Sequence, residues 1–291
     1  MTSRRTGLPP LTAMAASVLG AALLGACRSS DPAATPTAPR VICGTLTCAE
    51  VALDLGADNV IAWTPIALDE RYSLIADRLV GRDIAPPDAE GMAAFRPTLV
   101  VTASFSRPET LTQLERLGIP SVRLPSPETL DDIWDAVGVL GDVLERKADA
   151  AALIGRAKSR LDALTRQVPL IGGRKPRVLA WFDGTAPAAR TTVDLAISAA
   201  GFQNATSGDG WVTLDAERVV AAAPDVVVLS KSPGAIERLR ENPALARWVD
   251  GGGKVILIPG PLLGTTSHQL VDLAENLQAE LRSALSTQAP P

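Results

Sequence analysis

The chain is 291 residues long and 46% hydrophobic, enough to bury one large core or two ordinary ones. Its 28 basic and 32 acidic residues leave a net charge of −4, which argues against nucleic acid or an anionic membrane surface as a partner. Three cysteines and a single histidine exclude most zinc sites, which draw on several His or Cys ligands.

Residues 1–27 read as an export signal outside the fold. Arg4 and Arg5 give the positive start, residues 11–24 form an apolar stretch too short to span a bilayer comfortably, and the segment closes on Leu24-Gly25-Ala26-Cys27. Small residues before a cysteine resemble the lipobox of bacterial lipoproteins, so Cys27 is the expected lipidation site. A plain secretory signal with an incidental cysteine is the alternative. Ser3-Arg4-Arg5 with Leu8 weakly resembles a twin-arginine signal, which leaves the export route open. Residues 28–39 carry three prolines and no apolar periodicity, the composition of a disordered tether. The protein is therefore expected outside the cytoplasm, held at the plasma membrane by an N-terminal lipid.

From residue 40 strands and helices alternate. Strands are expected over 40–45, 59–64, 97–104 and 120–124, with helices over 48–55 and 109–117, the latter stopped by Gly118. A second series places strands over 176–182, 224–230 and 254–258, with helices over 192–200, 236–239 and 267–285. Such alternation predicts parallel sheets covered on both faces: an α/β fold of two doubly wound, Rossmann-like lobes, residues 40–146 and 169–291. Between them, residues 128–168 lack proline and show apolar residues at helical spacing. Gly138, Gly141 and Glu145-Arg146-Lys147 suggest a break, leaving one helix over 147–168, 22 residues and roughly 33 Å long, to join the lobes. A long surface helix within one domain fits the same periodicity.

Cys43 and Cys48 flank the first strand–helix turn. Thr47-Cys48-Ala49-Glu50 fits a capping box that would put Cys48 at the first helical position. In an oxidising compartment a disulfide across this turn is expected; a thiolate at a helix N-terminus is the alternative.

One pattern occurs twice: Asp88-Ala89-Glu90 is followed at nine residues from the Asp by Pro97 and then Leu99-Val100-Val101, and Asp215-Ala216-Glu217 by Pro224 and then Val226-Val227-Val228. Each copy reads as an Asp N-cap, a two-turn helix and a buried strand. Together with Arg40-Val41-Ile42 through Leu55-Gly56-Ala57, Leu117-Gly118-Ile119-Pro120, Ala200-Gly201 to Asn204-Ala205, and Trp211 onward, these stretches resemble the single-helix class of ABC-importer substrate-binding proteins, the receptors for ferric siderophores, haem and cobalamin. The resemblance covers residues 40–285.

The resemblance implies that Glu90 and Glu217 dock onto arginines of a permease dimer driven by its ATPase, with the receptor a monomer. The macrodipole alone also favours an acid in a helix's first turn. Ligands of doubly wound sheets bind beyond the carboxyl ends of the strands, where Trp63, Thr64, Phe105, Arg107, Trp181, Phe182, Arg190, Trp211 and Lys231 are the expected contacts. Aromatics make up only 3% of the chain, so their concentration there suits a large flat or macrocyclic ligand, although core packing is the alternative for any one of them. No cofactor is expected. The ligand is read as an iron chelate, a ferric siderophore ahead of cobalamin or haem. His268 is a weak candidate to ligate haem iron, Tyr72 sits in no matching motif, and Val80-Gly81-Arg82 lacks the tyrosine many haem receptors carry nearby. An exported enzyme is the competing class, but no Gly-x-Ser-x-Gly elbow or phosphate loop is present. A sensing lipoprotein that binds without transport is the third.

Overall fold

The computed structural model describes residues 38–286; the export signal, Cys27 and residues 28–37 lie outside the described residues. Short, mostly apolar runs of two to five residues build two sheets, and the two central strands of each are buried on both sides. The first series runs β1 (Val41–Cys43), α1 (Leu46–Asp54), β2 (Val60–Trp63), α2 (Ala89–Ala94), β3 (Leu99–Ala103), α3 (Pro108–Arg116) and β4 (Ser121–Leu124). All neighbours are parallel in the order β2-β1-β3-β4. Two helices follow, α4 (Leu130–Val143) and α5 (Lys147–Thr165).

The second series is β5 (Arg177–Ala180), β6 (Thr185–Pro187), α6 (Thr192–Ala199), β7 (Gln203–Asn204), β8 (Trp211–Thr213), α7 (Ala216–Ala222), β9 (Val226–Ser230), α8 (Ala235–Arg240), α9 (Pro243–Asp250), β10 (Lys254–Ile258), α10 (Gly260–Leu263) and α11 (Leu270–Ser286). Its parallel sheet runs β10-β9-β5-β7, while β6 and β8 pair antiparallel as a separate ribbon. In both main sheets the strand that enters first lies between the second and the third, so the winding is the same.

Alternation along the strands divides each sheet between two cores. Val226 and Val228 face one layer while Val227 and Leu229 face the other; Val41 and Cys43 oppose Ile42 in the first sheet. The unbroken apolar runs are what a parallel sheet covered on both faces requires.

The expected connecting helix is present as α5, and α4 is paired with it at the junction. Ile133 and Trp134 of α4 lie in the core of the second sheet, and Val137, Leu140 and Leu144 in that of the first. Helix α5 returns the other way, with Ala150 and Leu153 in the first core and Ala157 and Leu161 in the second. Both helices therefore run from one core to the other, as a hairpin turned at Glu145 (φ 56°). Helix α5 has 19 residues, about 28 Å, and ends at Thr165, short of residue 168. The hairpin packs closely because Gly141 has no side chain: a β-carbon there would overlap that of Ala150.

The capping box moves too. Thr45, not Thr47, caps α1 by accepting from the Cys48 amide (3.0 Å), so Cys48 is the third helical residue. A capping box does form, at Thr129 and Asp132 on α4.

Candidate ligand crevice

In each sheet the winding direction reverses beside its first strand, between β1 and β3 and between β5 and β9, which is where crevices open in doubly wound sheets. At the second of these points Trp181, Phe182, Leu229, Ser230, Ser232 and Arg238 line a hollow of about 230 Å³. Asp183 (φ 42°) and Gly184 (φ 90°) turn the chain sharply from β5 into the β6–β8 ribbon. That turn brings Phe182 edge-on to Trp211, with ring centroids 5.0 Å apart and planes at 79°. Trp211 is 56% exposed on this ribbon, a strand pair too short to announce itself by periodicity.

Trp181 forms the floor, buried with its indole N–H unpartnered among the described residues. Arg238 is held by Ser232 Oγ (2.7 Å) and the Pro233 carbonyl (2.8 Å), and its Nε reaches Asp183 at 3.3 Å. Lys231 is exposed. The crevice side of α10 is tight: a β-carbon on Gly260 would stand 2.9 Å from Ser230 Oγ and 3.6 Å from the Arg71 carbonyl of the first series.

On the first sheet, the disulfide Cys43–Cys48 closes the β1–α1 turn, wholly buried. After β3, Phe105 is 76% exposed and Arg107, also exposed, stands at the N-cap of α3. The segment after β2 exposes Ile66, Leu68, Tyr72 and Leu74, with the Arg71 guanidinium 5.4 Å from the Tyr72 ring centroid.

Several expected contacts are elsewhere. Trp63 is 2% exposed and packs in the first core on the same side as Cys43, with which it pairs in register. Thr64 is buried, its carbonyl accepting from the Ala67 amide (3.0 Å) in the turn after β2. Arg190 makes a bidentate pair with Glu128 (2.8 and 2.9 Å), and so is spoken for. Phe105, Arg107, Trp181, Phe182, Trp211 and Lys231 remain at the strand ends.

His268 is not in the crevice. It is 7% exposed, and its Nε2 lies 2.8 Å from Asp54 Oδ2. Burial raises the Asp54 carboxyl, but hydrogen bonds from His268 and Arg78 outweigh it and leave it below its ordinary value. An ionised carboxylate only accepts, so Nε2 must donate. This bond belongs to a polar seam where α1 meets the segment before α11: Thr47 and Thr266 share a hydrogen bond (2.6 Å), and Asp54 also receives Arg78 (2.7 Å). Between them sits Glu50, 1% exposed, its two oxygens within reach of the Ser267 hydroxyl but without a well-formed hydrogen bond among the described residues. Burial pushes it up to about 7; the Ser267 hydroxyl nearby offsets part of that rise, while the charges of Asp54 and Asp272 add to it. Sequence had read Glu50 as a cap, whereas it belongs to this seam.

Glu90 and Glu217 occupy the second position of α2 and α7, exposed and without hydrogen bond or ion pair among the described residues.

The sequence profile of the family described as "Periplasmic binding protein" matches residues 41–248. The chain belongs to that family. Three solved structures set the fold of this periplasmic binding protein in context. The periplasmic heme-binding protein RhuT from Roseiflexus sp. RS-1 superposes with a TM-score of 0.72 at 22% identity, over 85% of this chain and 99% of that one. The periplasmic heme-binding protein HutB of Vibrio cholerae gives 0.71 at 20% identity, over 84% and 99%. An ABC-type Fe3+-hydroxamate transport system protein from Saccharomonospora viridis gives 0.64 at 19% identity, over 84% and 93%. No curated protein sequence matches. The resemblance to the single-helix class thus holds in family and fold, with two Rossmann-like lobes, and the family places this binding protein outside the cytoplasm. Among the described residues no helix is long and apolar enough to cross a membrane.

Proposed function

We propose that this periplasmic binding protein is the lipid-anchored receptor of an ABC importer. It captures a metal chelate between its two sheets and hands it to a permease through Glu90 and Glu217. The observation that carries the ligand class is the placement of exposed aromatic surface, Phe105 after β3 and Trp211 beside Phe182, at the carboxyl ends of two identically wound sheets. Rigid rings offer contact area at small entropic cost to a large chelate. Arg107 and Lys231, both exposed, supply positive charge for an anionic one. Among the described residues the buried Trp181 N–H has no acceptor, and a ligand oxygen reaching into the hollow would satisfy it.

A ferric siderophore ranks ahead of haem and cobalamin because the only imidazole is committed to Asp54. Haem is the second reading. Tyr72 is 51% exposed and offers a phenolate, and proteins of this fold from Roseiflexus and Vibrio cholerae are described as heme-binding. Titrating residues 28–291 with ferric hydroxamates, ferric catecholates, haemin and cobalamin, followed by tryptophan quenching, tests the order. Quenching by ferric siderophores at the lowest concentration supports the first reading. Preference for haemin, lost in Tyr72→Phe, selects the second. Binding of none refutes the chelate-receptor reading.

A further inference from the structure

The duplicated Asp-Ala-Glu segment is held in both lobes by the same arginine clasp. Arg40 directly precedes β1 and Arg177 opens β5, the first strand of each sheet. The Arg40 guanidinium donates to the Phe95 carbonyl (2.8 Å) and the Arg96 carbonyl (3.2 Å) at the end of α2. The Arg177 guanidinium donates twice to the Ala222 carbonyl (2.8 and 3.1 Å) at the end of α7. Phe95 and Ala222 are both the seventh residue after the capping Asp.

The correspondence extends to the backbone. The next residues, Arg96 (φ 50°) and Ala223 (φ 40°), are both left-handed without being glycine. Two positions further, the Thr98 and Asp225 amides donate to the Arg40 and Arg177 carbonyls (2.9 Å each). Their side chains accept in return from the Arg40 and Arg177 amides, at 2.8 and 2.7 Å. At the other end Asp88 and Asp215 accept from Gly91 and Arg218 (2.8 Å each).

Helices of six and seven residues are too short to persist on their own. Each is pinned at its first turn by the Asp and at its last by a cation that also complements the dipole. The glutamate lies between the two pins, two residues past the capping Asp. We infer that Arg40 and Arg177 are positioning residues for Glu90 and Glu217, fixing each short helix to the leading strand of its sheet so that both carboxylates meet the permease pre-ordered. This rests on the docking reading above.

The test uses the ligand-free full chain and its permease–ATPase complex in nanodiscs, with affinity read by fluorescence anisotropy. Arg40→Ala and Arg177→Ala should each weaken docking about tenfold, the equivalent of one charge-assisted hydrogen bond's worth of order. Arg40→Lys should recover part of that loss. Placed on a Glu90→Ala background, Arg40→Ala should add nothing, because it acts through that carboxylate. In the isolated protein, amide exchange should quicken in α2 for Arg40→Ala and in α7 for Arg177→Ala, each leaving the other helix unchanged. Full additivity with Glu90→Ala, or unchanged α2 exchange, overturns the positioning role. Unaltered docking by Glu90→Ala and Glu217→Ala overturns the docking reading instead, and the exchange experiment still decides whether the clasps order their helices.

Discussion

Glu50→Gln should make the protein more stable, increasingly so as pH rises. In the native state the Glu50 carboxyl is pushed up to about 7 from 4.5 in an open chain, because burial in the seam strips water from it and the Ser267 hydroxyl offsets only part of that loss. A group whose folded value is raised costs nothing below the unfolded value. As pH climbs from about 4.5 to 7 the unfolded state ionises while the native state stays neutral, so stability falls; above that window the deficit is constant. A rise from 4.5 to about 7 corresponds to about 3 kcal/mol. Glutamine keeps the shape and removes the titration, so at pH 8 the variant should gain close to that amount, or roughly 5–10 °C in Tm for a chain of this size. Near pH 4 the two proteins should differ by little. Urea unfolding of both at pH 4, 6 and 8 measures it, and taking the difference cancels the other carboxylates. An equal offset at every pH, or a variant less stable at pH 8, would refute the reasoning.

The remaining expectations are more local. Cys43→Ser with Cys48→Ser opens a six-residue loop and should cost about 2 kcal/mol of unfolding free energy, and the non-reduced protein should show no reactive thiol at either position. Gly141→Ala should destabilise by about 1–3 kcal/mol through the clash across the α4–α5 hairpin, with Ala150→Gly restoring most of it in a double-mutant cycle. Trp63→Ala should cost roughly 3–5 kcal/mol of stability yet leave ligand affinity intact once folded. Trp211→Ala should do the reverse, hardly moving the denaturant midpoint while weakening chelate binding by tenfold or more.

What the sequence revealed was mostly local. The Asp caps at Asp88 and Asp215 and the prolines at 97 and 224 carry their meaning within ten residues, and both copies formed as read. Helix α9 carries an equally local signal, Asn242 accepting from the Ala244 and Leu245 amides with Pro243 at the first helical position. Other features depend on partners distant in the chain. The arginine clasps join residues 45 to 56 apart, and no spacing rule reaches that far. Helical periodicity marks an apolar stripe on α4 without saying that one end of it enters the second core. Trp63 stands at a strand end as expected, but parity with Cys43 sends its ring inward. Glu50 fits a cap by spacing, while Thr45 does the capping and Thr47, Glu50 and Asp54 fall on one stripe toward the other lobe.

The α4–α5 hairpin constrains how such a receptor can operate. A lone rod between two halves tolerates bending at either end and twisting about its own length. Two antiparallel rods, each rooted in both halves and meshed at Gly141, should resist torsion as a plank does, and the halves are then expected to keep nearly the same relative heading with and without cargo. The transporter would then meet nearly the same outline in either state, and occupancy would have to be announced by the crevice lip itself, by changes of a side chain or a loop.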